Sequence, residues 1–122
     1  MSWVRSGAIA ALMSLVCLTK TAAAAGAICP PAQKGSGLKT VTLFDGPPSD
    51  QASLAPDSSR KVDGADRSDW DVAEVAKSDR HLFIQCDYGP KSPAITLQQP
   101  ASTARCTLVA RRGNLALTCS GP

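Results

Sequence analysis

The sequence is poor in the residues that most often carry catalysis or bind metal ions. His81 is the only histidine, and no two of the five cysteines have the C-x-x-C spacing of zinc sites. His81 also has no serine or cysteine motif around it, so no catalytic triad is indicated. We therefore expect no metal, no cofactor and no enzymatic activity, and we interpret His81 as an exposed or strand-edge residue.

A membrane-spanning run is also absent, because the apolar stretch at residues 7 to 18 is shorter than the roughly 20 residues that a span requires. Arg5 precedes this stretch and small residues follow it at 21 to 27, which is the pattern of a secretory signal peptide. Cleavage is predicted after Ala25, with cleavage after residue 24 or 27 as alternatives. An uncleaved helical anchor is the alternative interpretation of the whole segment.

A strong charge of either sign is missing from the mature chain. Removal of residues 1 to 25 leaves residues 26 to 122, a length of 97 residues that suits one small domain with covalent staples. The removed segment carries Arg5 and Lys20, so basic residues fall from 13 to 11 against 10 acidic residues. The formal net charge falls from +3 to +1, which gives no support to a nucleic-acid or membrane-surface role.

Four cysteines are present in the mature chain, and an even number in an exported domain indicates two disulfides. The fifth, Cys17, lies in the apolar stretch and is removed with it. Three pairings of the remaining four are possible. The hairpin described next favours Cys106–Cys119, which leaves Cys29–Cys86 as the second bridge.

Cys106 and Cys119 are equally far from the dipeptide Arg112-Gly113. If this dipeptide is the loop of a two-residue β-hairpin, Cys106 falls directly opposite Cys119. In that register the cysteines form a non-hydrogen-bonded pair, whose Cα atoms lie about 4.5 Å apart and within disulfide range. Because Arg-Gly is a weaker loop signal than Asn-Gly, a loop of three to five residues that includes Asn114 is the alternative. The two-residue register gives the cysteine face four further apolar residues: Leu108, Ala110, Leu115 and Leu117.

Alternating apolar and β-branched residues predict further strands at 38 to 45, 81 to 88 and 94 to 99. Short turns separate the last two from each other and from the hairpin, so an antiparallel meander of four strands is predicted from residue 81 onward. The fold class is predicted to be mainly β: a small antiparallel meander or sandwich-like domain stapled by two disulfides. One face of the strand at 81 to 88 is predicted to be buried through Leu82, Ile84, Cys86 and Tyr88.

Two other segments are harder to assign. Residues 46 to 69 are rich in glycine, proline, serine and aspartate, and they predict one long loop or a locally disordered segment. Residues 69 to 77 are ambiguous, because Trp70 and Val72 suit a strand whereas the alanines and Glu74 suit a short helix. We favour the strand.

Several short motifs are distributed over most of the mature chain: CPP at 29 to 31, TLFDGPPSDQASLAPD at 42 to 57, Trp70, QCDY at 85 to 88, and the later Cys106 and Cys119. With these motifs the chain resembles a family of small exported proteobacterial proteins that is designated by an enterobacterial locus tag. The run at 42 to 57 is the specific part of the resemblance. It implies export and the cysteine pattern, and it implies no particular activity.

Two places are candidates for contact with a binding partner. After the strand at 38 to 45, a glycine and two prolines form a stiff loop, which can bind with little loss of conformational freedom. The alternative is a simple turn with its apolar residues in the core. The arginines at the hairpin tip are either solvated or bind an acidic partner through bidentate hydrogen bonds. The predicted partner-binding residues are Phe44, Asp45, Pro47, Pro48, Leu54, Arg111 and Arg112.

The predicted function is that of a non-enzymatic binding protein, periplasmic or secreted, with a periplasmic protein as its partner. An inhibitor or immunity-type partner of an envelope-acting enzyme fits the small stapled domain. One alternative is a small envelope hydrolase, and another is a structural or ligand-carrying envelope component. The hydrolase would use the carboxylates of Asp45, Asp66, Asp69 and Asp71. The acidic residues of the long loop lack the glycine-centred pattern of a calcium site, and a solvated loop is favoured.

Overall fold

The computed structural model describes residues 27 to 122, and the predicted signal peptide lies outside these residues. The described chain is mainly β, with nine strands, one short α-helix and one turn of 3-10 helix at Pro48–Asp50. The strands and the helix are β1 (Ala32–Gln33), β2 (Ser36–Gly37), β3 (Thr40–Asp45), β4 (Ser58–Val62), β5 (Ala65–Asp71), α1 (Ala73–Lys77), β6 (Leu82–Asp87), β7 (Ile95–Gln98), β8 (Arg105–Arg111) and β9 (Asn114–Ser120).

The strands form three antiparallel sheets. The main ones are a three-stranded sheet in the order β3-β6-β7 and a four-stranded sheet in the order β4-β5-β8-β9, while β1 and β2 form a small hairpin. The predicted strands at 38 to 45, 81 to 88 and 94 to 99 are confirmed as β3, β6 and β7, each slightly shorter than expected.

The prediction of one four-stranded meander is wrong, because β7 belongs to the three-stranded sheet and β8 to the four-stranded sheet. The chain crosses between the sheets at residues 99 to 104. Pro100 has no N–H to donate to a ladder, and its carbonyl instead accepts a hydrogen bond from the Thr103 N–H at 3.0 Å, which closes a turn. The alternation of apolar residues identifies strands, but it does not identify which strands pair.

The prediction of a long loop over residues 46 to 69 is also wrong in its second half, where β4 and β5 form a hairpin. Asp63 and Gly64 connect these strands with positive φ angles of 51° and 78°, as a two-residue hairpin turn requires. The polar composition hid this hairpin, although Asp-Gly is a strong turn signal. In residues 69 to 77 the strand ends at Asp71, and the remainder is the helix α1 rather than the strand that we favoured.

The hydrophobic core joins the two main sheets. On β6 the predicted alternation is confirmed, since Leu82, Ile84 and Cys86 are fully buried and Tyr88 is 1 % exposed. The Tyr88 hydroxyl donates to the Pro30 carbonyl at 2.6 Å, and burial raises the pKa of this phenol above its usual value. The cluster contains residues of both sheets and of α1: Leu43, Trp70, Val72, Ala76, Leu82, Ile84, Cys106 and Leu117.

Both predicted disulfides are present. Cys29–Cys86 ties the N-terminal segment to β6 across 57 residues of sequence. Cys106–Cys119 joins β8 to β9, with Cα atoms 4.0 Å apart, in the register predicted from the two-residue loop at Arg112-Gly113. Within residues 27 to 122, no helix is long and apolar enough to cross a bilayer.

Candidate partner-binding surfaces

The loop after β3 is held by Arg80. The Arg80 Nε donates to Asp45 Oδ1 at 3.2 Å, and its Nη2 donates to the Asp45 carbonyl at 2.9 Å and to Asp50 Oδ2 at 3.2 Å. Gly46 has a φ of +85°, and a Cβ at this position would lie 2.6 Å from Arg80 Nη2. The positive φ favours glycine here, and a Cβ would displace the Arg80 guanidinium from its place across the loop.

The apolar members of this predicted site point largely inward. Phe44 is 8 % exposed, and Leu54 is half-buried against the core, where its carbonyl accepts the Trp70 indole N–H at 3.0 Å. Pro47 is exposed and Pro48 is half-buried. The loop is therefore held in place as predicted. Phe44 and Leu54, however, pack mainly into the core, which is the alternative to partner binding given for these two residues.

The tip arginines lie beside a second hairpin. Arg111 and Arg112 are exposed and line a depression of about 590 Å³, which the turn Asp63-Gly64 of the β4–β5 hairpin closes on one side. The lining residues are Asp63, Gly64, Val109, Arg111, Arg112, Asn114, Leu115 and Ala116.

The structure does not bring the two predicted binding places together. Leu54 contacts Trp70, which pairs with Cys106 on β8. Arg111 lies five residues further along the same strand, a distance of about 17 Å at 3.4 Å per residue. The loop and the tips are therefore at opposite ends of the four-stranded sheet.

The outer face of the four-stranded sheet carries functional candidates that the sequence interpretation missed. Arg60 pairs with Arg67, Arg67 with Val109, and Val109 with Ala116, so these four side chains form one row across all four strands. Cross-strand neighbours of like charge destabilise a sheet. The turn Asp63-Gly64 is the signal that would have revealed this row, because it sets the register of Arg60 against Arg67.

Asp69 accepts hydrogen bonds from two neighbouring side chains of this face. Arg67 donates to both carboxylate oxygens, from Nε at 3.1 Å and from Nη2 at 3.2 Å, and the Thr107 hydroxyl donates to Oδ1 at 2.7 Å. These hydrogen bonds, first from Arg67 and then from Thr107, hold the pKa of the Asp69 carboxyl below its usual 3.8, against the opposing effect of burial. The Asp69 side chain is 18 % exposed, so it is a fixed part of the surface.

The carboxylates of the hydrolase hypothesis are spread over both sheets. Asp45 pairs with Arg80, Asp66 pairs with Lys61 at 3.0 Å, and Asp69 pairs with Arg67. Asp71 Oδ1 accepts the backbone N–H of Ala73 at 3.4 Å. A general acid near neutral pH needs a raised carboxyl pKa, and the pKa of Asp69 moves in the opposite direction.

Other chemistry-bearing residues have structural surroundings. His81, with a φ of 65°, is half-buried at the start of β6, where its carbonyl accepts the Gly46 N–H at 2.9 Å. In the part of the chain that the structure describes, no three His, Cys, Asp or Glu side chains are grouped so as to hold a metal ion. The four described cysteines are all in disulfides. The arrangement therefore presents rigid surfaces for recognition.

Comparison with known proteins identifies a family. The family model of the type VI secretion system Tli immunity proteins matches residues 32 to 120, from the first strand to the last residue of β9. No curated protein and no solved structure matches the chain. Because the matched region covers well over half of the sequence, the protein belongs to the type VI secretion system Tli immunity protein family.

Proposed function

We propose that this protein is a periplasmic immunity protein that binds an envelope-acting effector and keeps it inactive. The observation that carries the proposal is the family match over residues 32 to 120. The match spans all nine strands of the described domain, so the two sheets together are the unit to which an immunity role applies.

The covalent structure supports an extracytoplasmic site of action. Two disulfides staple the domain, and such bonds form and persist in oxidising compartments such as the periplasm. The signal peptide predicted for residues 1 to 25, with cleavage after Ala25, would deliver the chain there. An effector that attacks the envelope would then meet the immunity protein in the same compartment.

Neutralisation by binding, without turnover, fits the surface chemistry. Three of the acidic side chains considered for a hydrolase, Asp45, Asp66 and Asp69, are paired with cations. The depression that Asp69 and Asp71 line is also lined by three arginines. A rigid domain binds with little loss of conformational freedom, so it can form a tight complex from a modest contact area. Of the predicted partner-binding residues, Pro47, Arg111 and Arg112 are exposed and available for contact.

The proposal is tested with an envelope-acting type VI effector of the organism from which the chain comes. Cells that direct this effector to their periplasm should lose viability, and co-expression of the full chain should restore the viable count to that of cells without the effector. A variant that lacks residues 1 to 25 is the control, and it should not protect, because its cysteines remain in a reducing compartment. Equal killing with and without the full chain would contradict the proposal.

A further inference from the structure

The outer surface near the two hairpin tips, which we call the arginine face, consists of Arg60, Arg67, Arg111 and Arg112 around Val109 and Ala116. We propose that the arginine face is the surface that binds the effector, and that it takes a segment of the effector rich in aspartate and glutamate. This inference rests on the proposed function, because it assigns the partner contact of the same protein.

The cross-strand pairing on this face is unfavourable for the isolated domain. Arg60 lies directly opposite Arg67 in the β4–β5 hairpin, so two cations share one position on the same face. Directly opposed like charges destabilise a strand pair. Asp69 offsets the charge of Arg67 through paired hydrogen bonds at 3.1 and 3.2 Å. Arg60 lies at the exposed edge of the sheet and forms no ion pair within the described residues, although Asp57, Asp69 and Asp71 line the same depression.

The positive charge of the face is least compensated at the neighbouring hairpin tip. Across residues 27 to 122, no ion pair includes Arg60, Arg111 or Arg112. The depression at the tips is lined by one carboxylate, that of Asp63. The depression beside Arg60 and Arg67 is also lined by Asp57, Asp69 and Asp71. At the tips, two guanidinium groups thus meet one carboxylate, so the positive excess of the face lies there. Guanidinium groups bind carboxylates bidentately, so this excess fits acidic side chains.

The shape of the arginine face suits a protruding protein segment. Val109 and Ala116 line the depression of about 590 Å³, and Arg111 and Arg112 stand at its side. Apolar contacts with arginine around them are typical of the centre of protein interfaces. The Cys106–Cys119 bridge lies on the opposite face of the same hairpin and joins its two strands. The face is therefore pre-organised for binding.

The backbone offers a matched pair of sites for a test. Arg112 has a φ of 50° and precedes Gly113, and Lys34 in the β1–β2 hairpin has a φ of 48° and precedes Gly35. Asparagine is favoured over a long cation at such turn positions. Arg112→Asn and Lys34→Asn therefore remove one positive charge each without harm to the fold, one within the arginine face and one outside it.

The direct experiment measures the affinity of the purified, oxidised domain for the same effector that the protection experiment uses. Arg60→Glu combined with Arg111→Glu should weaken binding by at least about tenfold, since opposed charges replace attractive ones at the contact. The control, Lys34→Glu combined with Lys91→Glu, changes two exposed lysines of other turns by the same total charge and should stay within about twofold. Added salt should weaken wild-type binding more than binding of the arginine double variant.

The single-charge variants test whether the charge-reversal variants lose binding only because they fail to fold. Arg112→Asn should weaken binding by about threefold, and Lys34→Asn should leave it unchanged. If the wild type and both arginine variants bind the effector equally well, the arginine face is not the binding surface. The proposed function is then unaffected. No binding by the wild type overturns the proposed function and this inference with it. If phosphatidylglycerol vesicles bind through these arginines and effector binding does not depend on them, the face serves a membrane and the inference fails.

Discussion

Arg80 and Asp45, 35 residues apart in sequence, are joined by two hydrogen bonds, from Nε to the carboxylate at 3.2 Å and from Nη2 to the backbone carbonyl at 2.9 Å. The same Nη2 reaches Asp50 on the far side of the loop at 3.2 Å. One guanidinium therefore fastens both ends of the segment that the sequence marks as stiff. Arg80 therefore stiffens the loop after β3 in addition to the two prolines.

The first prediction concerns this loop. Arg80→Ala should increase amide hydrogen exchange at residues 46 to 52, because the prolines alone do not hold the loop against β3. Exchange in β8 and β9 should be unchanged. Lys77→Ala, which removes an exposed ion pair with Glu74 at 2.9 Å, is the matched control and should leave the loop as it is. Unchanged exchange at 46 to 52 in Arg80→Ala would show that Arg80 is dispensable for the loop.

The second prediction concerns pH. The folded-state pKa of Asp69 is lowered below its usual 3.8, so the contribution of this carboxylate to stability is complete at pH values above 3.8 and is lost as the pH falls through the folded-state pKa. Asp69→Asn should therefore be less stable than the wild type near neutral pH. The difference should shrink as the pH falls below 3.8, as measured by urea unfolding across this range.

The control for this pH effect is Asp66→Asn. Asp66 and Lys61 form a pair in which both side chains are largely exposed, 67 % and 79 % respectively. Such pairs contribute little to stability, so the free energy of unfolding should change only slightly, at neutral and at acid pH alike. A difference between Asp69→Asn and the wild type that does not vary with pH would contradict the role assigned to the Asp69 carboxylate.

The sequence predicts local features of this fold better than distant ones. The Cys106–Cys119 pairing follows from symmetry about two adjacent residues, and the structure confirms it. The β4–β5 hairpin was missed because β4 is exposed almost throughout and shows no apolar alternation. The division into two sheets depends on the chain crossing at residues 99 to 104, which periodicity does not reveal.

The candidate binding surface was likewise predicted only where its residues are close in sequence. Arg111 and Arg112 were predicted as partner-binding residues from their place at the hairpin tip, and they line the depression there. Arg60 and Arg67 join them only through the pairing of β5 with β8, two strands far apart in sequence. The resemblance to the family designated by a locus tag stays a prediction.

The third prediction compares the two disulfides. In the chain-entropy model, a bridge that closes a longer loop restricts the unfolded chain more. The separations are 57 residues for Cys29–Cys86 and 13 for Cys106–Cys119, which correspond to about 4 and about 3 kcal/mol. Serine replacement of Cys29 and Cys86 together should lower the free energy of unfolding more than replacement of the other pair. Denaturant unfolding of both double variants measures this, and the reverse order would contradict the model.

The fourth prediction concerns turn stability. Arg112 and Lys34 adopt positive φ angles of 50° and 48°, a conformation in which asparagine is less strained than long side chains. Arg112→Asn and Lys34→Asn should each raise the free energy of unfolding by about 0.5 kcal/mol and raise the melting temperature. Only the first should weaken effector binding. Asp63 already occupies the equivalent turn position of the β4–β5 hairpin, so Asp63→Asn should change stability little.

The central claim, that this stapled domain inactivates an effector by binding, is tested most directly by titration in solution. The effector of the protection experiment is purified and assayed on isolated peptidoglycan and on phospholipid vesicles while the oxidised domain is added in steps. The account predicts that hydrolysis falls to background at one equivalent of domain, and that the domain alone hydrolyses neither substrate. Full effector turnover at a tenfold excess of domain, or hydrolysis by the domain itself, would contradict it.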